Sequence, residues 1–227
     1  MFNDFFAFVL SDWVFLLIFM VFSYLIGSVN FSIIFSKILV RKDIRTLGSK
    51  NAGFTNVARS LGAFPAILTF IGDFLKGVIA VALGTLFSNL VGLNSKDSFY
   101  LKLFMMFSCL LGHLYPCFFK FKGGKGILTA WSMNLLVDWR LFLVLISVFL
   151  IVLAVSKIVS LASISVSFFY PFLTFLFFSW SNNLAIHAGV ATFFSSLAGA
   201  MIILRHKDNI KRILMCEEKP IKKRFDR

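Results

Sequence analysis

Apolar stretches close to the length of a membrane crossing recur along this chain, at about residues 13–36, 63–88, 99–119, 127–137, 141–155, 159–180 and 185–204. Inside hydrocarbon every backbone N–H and C=O must be satisfied by the protein itself, so each run of roughly 20 apolar residues reads as a spanning helix. The fold class is therefore all-α, a polytopic membrane protein. With 31 phenylalanines and 59% hydrophobic residues, the composition is one that a soluble domain cannot hide from water. The 227 residues leave only short connections between the runs, so residues 1–227 read as a single integral-membrane domain.

Charge then orients the runs. Lys and Arg number 23 against 10 Asp and Glu. In a soluble chain this excess points to nucleic acid; here no nucleic acid is expected, because basic loops hold the cytoplasmic face and bind anionic membrane lipids. Residues 127–155 form either one long helix or two short ones turning at Asp138, Trp139 and Arg140. With the hairpin and an external N-terminus, 19 basic residues fall inside: six in loop 37–59, three in loop 117–126, Lys157, and nine in the tail from Arg205. Only Lys96, Lys102 and Arg140 fall outside, with Lys76 in a span. A single helix would put the tail opposite loop 37–59, against the positive-inside rule. The expectation is about seven transmembrane helices, N-terminus outside and C-terminus cytoplasmic, the fourth and fifth too short to cross unaided. Asp4 and Asp12 stand where a signal peptide carries Lys or Arg, so the first helix reads as retained. Cys109, Cys117 and Cys216 are odd in number and lack CxxC spacing, which indicates free thiols and neither a disulfide framework nor a metal site.

In this topology the unusual polar sequences meet on one side. GSVNF at 27–31 is followed by GSKNAGFTNVARSLG at 48–62. With Gly48, Ser49, Asn51, Gly53, Thr55 and Asn56, this backbone is free to bend and aim several N–H groups at one point, a phosphate-binding nest bracketed by Arg45 and Arg59. From spacing alone it reads equally as a solvated basic loop. In GHLYPCFFKFKGGKG at 112–126, Gly123, Gly124 and Gly126 surround Lys125, a good phosphate grip without the spacing of a nucleotide P-loop. His113 reads as a hydrogen-bonded interfacial histidine before a catalytic one. In RHKDNIKRIL at 205–214, helical spacing puts His206 and Asn209 on one face, able to turn toward the bundle while Lys and Arg sit on headgroups. Asp73 and Lys76 in GDFLKG form an i, i+3 pair inside a span and read as structural glue; SLASI at 160–164 permits close helix packing.

These motifs, in this order and with SLASI between the last two, resemble those of the bacterial acyl-phosphate:glycerol-3-phosphate acyltransferases, from about Tyr24 to Ile221. The resemblance implies a seven-helix protein of the cytoplasmic membrane with its site on the cytoplasmic side. It implies acyl phosphate as donor, glycerol 3-phosphate as acceptor, lysophosphatidic acid as product, and a partner in the soluble enzyme that makes acyl phosphate. Ser49 and Arg59 match the functional Ser and Arg of the first motif. Gly123, Gly124 and Lys125 look like the glycerol 3-phosphate grip; His206 and Asn209 match the pair of the third motif, and Glu218 a carboxylate needed for integrity. Lys50, Phe54 and Asn30 depart from the family, which usually has Gly, Ala and Pro there. The chemistry needs no cofactor, because an acyl phosphate already carries a good leaving group. The base is open between His206 and the substrate's own phosphate, since Asp208 is turned away from His206 by helical spacing. A transporter is the rival reading, disfavoured because the polar residues cluster at one face instead of the midplane and no inverted repeat is visible.

Overall fold

The structure, a computed structural model, describes residues 2–11, 13–180 and 187–221, and its regular elements there are all helices. Asp12, the side chain of Asp4, residues 185 and 186 of the last expected run, and the tail beyond 221 lie outside the described residues. The helices are α1 (Phe2–Ser11), α2 (Trp13–Ser28), α3 (Phe31–Val40), α4 (Phe54–Leu61), α5 (Ala63–Val91), α6 (Ser95–Leu114), α7 (Ile127–Val137), α8 (Trp139–Ser156), α9 (Val159–Trp180), α10 (Ala188–Arg205) and α11 (Lys207–Leu214).

Among the described residues, six segments are long and apolar enough to cross a membrane: Trp13–Val40, Ala63–Val91, Ser95–Phe119, Trp139–Ser156, Val159–Trp180 and Ala188–Arg205. The apolar α7 has 11 residues, about half the length that a hydrocarbon core of roughly 30 Å demands. It ends at Asp138, whose extended backbone (φ −156°, ψ 110°) stops the helix and whose carboxylate accepts from the Arg140 N–H at 2.9 Å. Trp131 meets Phe149 edge to face at 4.6 Å, so α7 and α8 fold back on each other as a hairpin.

The first crossing is interrupted. Between α2 and α3 the chain breaks at Val29 and Asn30, and Asn30 caps α3 by accepting from the Ile33 N–H at 3.1 Å. The carbonyls left open at the end of α2 are satisfied from another helix: Lys76 Nζ donates to Gly27 O at 3.0 Å and Val29 O at 2.8 Å, and lies 3.0 Å from Asp73 Oδ1. Unpaired carbonyls at this depth cost several kcal/mol each, so the Asp73 and Lys76 pair acts as the glue expected of it.

The two ends of the bundle are filled differently. At one end, Phe5 of α1 interlocks with Tyr100, Phe104 and Phe194, mostly edge to face at 5.0–6.4 Å. Such ring pairs contribute about 0.5–1.5 kcal/mol each beyond the area they bury. The other half is hollow, and all three motifs open onto the hollow.

Candidate active site

The first motif is a loop wound around one side chain. Asn56 is buried; its Oδ1 accepts from the Ser49 N–H at 2.9 Å, and its Nδ2 donates to the carbonyls of Ile44, Leu47 and Asn51 at 3.0–3.1 Å. Gly48 (φ 53°) and Lys50 (φ 57°) take left-handed conformations to make the turn. At Lys50, which has a Cβ, this conformation carries a steric cost of about 1–2 kcal/mol that a glycine would avoid. Gly53 starts α4 with no side-chain cap hydrogen bond; its own N–H is taken by Asn51 O at 3.1 Å and that of Asn56 by Gly53 O at 3.0 Å, while Gly53, Phe54 and Thr55 line the cavity beside Ser49. Arg59, one turn further along α4, reaches the same cavity. Asn30 takes up its departure from the family usefully, as its amide reaches Ala52 O at 3.5 Å.

The second motif corrects two expectations. The N–H groups of Gly123 and Gly124 are already spent on Leu114 O and His113 O, both at 3.2 Å, and their carbonyls accept from Arg205 at 3.0 and 3.3 Å. Neither glycine is left to hold phosphate. They are small because the strand is pressed against its neighbours: a Cβ on Gly124 would stand 2.4 Å from His113 Nε2 and 2.5 Å from Ala52 O. Arg45 is the other correction. It is paired with Asp43 at 2.7 Å and donates to Phe119 O (2.7 Å) and Lys122 O (3.0 Å), clamping the first motif to the second outside the cavity. What the glycine strand delivers is Lys125, which enters the cavity beside Gly126, the left-handed (φ 86°) start of α7. Burial lowers Lys125 to about 8, against the pull of nearby Glu218.

The third motif completes a chain of contacts. His206 sits at the break between α10 and α11, buried, with Nδ1 2.7 Å from Ile202 O. A carbonyl only accepts, so Nδ1 carries the proton and Nε2 is the basic nitrogen. Burial, reinforced by Lys125, lowers His206 to about 4. Asn209 accepts from Lys125 Nζ and donates to Glu218 Oε1 at 2.7 Å. Glu218 also takes Ser160 Oγ at 2.8 Å and Arg212 Nε at 2.5 Å. Burial pushes this carboxyl up, but those hydrogen bonds outweigh it and hold Glu218 below its ordinary value. The segment after α11 is thereby strapped over the cavity, with Arg59 donating to Lys219 O at 3.0 Å and the Ile221 N–H to Lys157 O at 2.8 Å.

One cavity of about 700 Å³ is lined by Ser49, Asn51, Thr55, Arg59, Lys125, His206 and Asn209 together. Several contributors escaped the sequence reading. Ser160 was taken for helix packing, Arg205 and Arg212 for headgroup contacts, and Asp73 and His113 were not placed on the cavity floor, where both lie. The small residues of SLASI were the available signal for Ser160.

Comparison with known proteins identifies the family. The family model described as glycerol-3-phosphate acyltransferase matches residues 17–215. A glycerol-3-phosphate acyltransferase of Prochlorococcus marinus (strain MIT 9312) is 37% identical over 200 residues, covering 88% of this chain and 94% of the relative. The crystal structure of PlsY, an integral membrane glycerol 3-phosphate acyltransferase, in its glycerol 3-phosphate form superposes with a TM-score of 0.75 at 35% identity, covering 91% of this chain and 96% of that one. The lysophosphatidic acid form gives a TM-score of 0.72 at 34% identity, with 91% and 95% covered. The chain belongs to the glycerol-3-phosphate acyltransferase family of integral membrane enzymes.

Proposed function

We propose that the chain transfers a fatty acyl group from acyl phosphate to the primary hydroxyl of sn-glycerol 3-phosphate, releasing lysophosphatidic acid and phosphate. The observation that carries this is the convergence of two separate anion grips, Ser49 with Arg59 and Lys125 with Asn209, on one cavity that also has an apolar flank. The loop at 48–56 and Arg59 hold the donor phosphate. Lys125 and Asn209 hold the acceptor's phosphate, so that its hydroxyl lies near the acyl carbon. The hydroxyl oxygen bonds to that carbon, the carbon–oxygen bond to the donor phosphate breaks, and the departing phosphate keeps the electron pair beside the hydroxyls of Ser49 and Thr55 and the guanidinium of Arg59. The hydroxyl proton passes to His206 Nε2 or to a substrate phosphate. Asn56, Gly123, Gly124 and Glu218 act by building the site.

Turnover by purified protein in detergent, with acyl phosphate and labelled glycerol 3-phosphate, should yield labelled lysophosphatidic acid, and acyl-CoA should not replace the donor because its thiol leaving group offers the nest nothing. Comparable turnover with acyl-CoA would show that the first motif has another job.

Two pH effects are expected. Lys125, lowered to about 8, is charged below that pH and neutral above it, so KM for glycerol 3-phosphate should climb as pH rises past about 8. His206, lowered to about 4, is already unprotonated at neutral pH. An acidic limb of kcat near the second phosphate ionisation, at about pH 6, then belongs to the substrate and should persist in His206→Gln. Loss of that limb in the variant would assign the ionisation to His206 instead.

Seven spans, with α7 and α8 forming the fourth and fifth, an external N-terminus and a cytoplasmic site in the inner membrane of a bacterium follow from the distribution of Lys and Arg. The basic cytoplasmic face then also offers a docking place for the soluble enzyme that makes acyl phosphate. A cysteine label at position 122 should be protected from an external reagent and one at position 94 should react. The reverse pattern overturns this topology.

A further inference from the structure

Below the phosphate grips the cavity is lined by apolar side chains of α5, α7 and α8, which form a notch. On one side α5 presents Phe70 and on the other α8 presents Phe149 and Leu153, while Leu128 and Trp131 of α7 close the back. Phe70 lies seven residues into α5, roughly 10 Å below its start. Deeper, at roughly 16 Å, α5 and α8 are joined by Phe74 and Phe142, edge to face at 6.3 Å.

One wall of this notch is a run of stacked rings that begins at the phosphate loop. Phe54 meets Phe70 edge to face at 5.7 Å, and Phe70 stacks on Phe74 at 6.0 Å and 13°. Phe54 is the first residue of α4, between Gly53 and Thr55 in the nest itself, and it keeps 41% of its surface exposed while lining the cavity. Whatever is esterified to a phosphate held by Ser49 and the first turn of α4 must leave the nest past this ring.

We propose that Phe54 is a specificity-determining residue that packs against the first carbons of the donor's acyl chain where it enters this notch, and that it excludes branching there. This rests on the reading of loop 48–56 as the donor-phosphate nest. A flat ring beside the second and third carbons accepts a straight methylene chain along its face. A methyl branch at the second carbon requires the ring to move, and Asn56 fixes the backbone that carries it.

The test compares straight-chain palmitoyl phosphate with a 2-methyl-branched acyl phosphate of the same length, in wild type, Phe54→Ala, Phe54→Leu and Phe64→Ala. Phe64 is 64% exposed and lies outside the cavity, so its variant should match wild type. Phe54→Ala should reduce the ratio of kcat/KM for the straight over the branched donor by about tenfold, as expected when a packed apolar pocket is enlarged, with KM for glycerol 3-phosphate unchanged. Phe54→Leu, which keeps the loop packed, should move the ratio in the same direction by a smaller factor, and it decides the matter if the alanine variant does not fold. An unchanged ratio in the folded variants, or a change confined to KM for glycerol 3-phosphate, overturns the proposal while leaving the acyltransferase reading intact. A wild type that makes no lysophosphatidic acid from either acyl phosphate overturns the donor reading and the proposal with it.

Discussion

Replacing Arg59 with alanine is expected to lower kcat by roughly 10²- to 10³-fold, the range seen when one donor to a developing anion is removed from a preorganised site. KM for glycerol 3-phosphate should hardly change. The expectation follows from position. Arg59 lies one turn beyond the nest on α4, it lines the cavity, and in the structure one arm of its guanidinium is engaged by the Lys219 carbonyl. A carbonyl oxygen is a weaker partner than a phosphate bearing an added charge, so the arm is held in place at little cost to its later use. Arg59→Lys should recover only part of the loss, because a lysine keeps the charge but not the planar fork. Steady-state kinetics with both substrates varied decide the point. A rise in KM for acyl phosphate with kcat intact would make Arg59 a ground-state anchor instead.

Gly48→Ala is expected to cost about 10²-fold in kcat, through misplacement of the loop and not through lost contact with substrate. The backbone there is left-handed at φ 53°, and an added Cβ would lie 2.4 Å from Asn56 Oδ1 and 2.6 Å from Ser60 Oγ. Asn56 is the side chain around which the loop is wound, so pushing its amide away releases the Ser49 N–H and the three carbonyls it gathers. The main hydrophobic core of the bundle contains no residue of this loop. Thermal unfolding in detergent should therefore remain close to wild type while activity falls, and a variant that unfolds as it loses activity would refute the local account.

Much of the architecture is legible in the sequence because lipid imposes a strong code: apolar runs mark helices, and basic residues mark a side. The three motifs are legible together, through their order along the chain, although the first alone reads equally as a solvated basic loop. What the sequence conceals is which partner each polar group takes. Arg45 sits as close in sequence to the phosphate loop as Arg59 does, yet Asp43 two residues away captures it. The N–H groups of Gly123 and Gly124 are consumed by carbonyls about ten residues earlier, where nothing in the motif announces a pairing. The break between α2 and α3 is likewise invisible locally, because the lysine that stabilises it is 47 residues from Val29. Lys219 contributes its backbone carbonyl, and a backbone group leaves no signature in the sequence at all.

The strap across the cavity also sets an order of events during biosynthesis. The nest and Lys125 are translated and inserted first, but Asn209, Arg212 and Glu218, which fasten Lys125 in place, emerge last among the residues of the site. At translation speeds of about 5–20 residues per second, the two anion grips wait several seconds for the segment that aligns them. A nascent chain is thus threaded through the bilayer, helix by helix, before the Glu218 carboxylate can reach Ser160 and close this network of contacts.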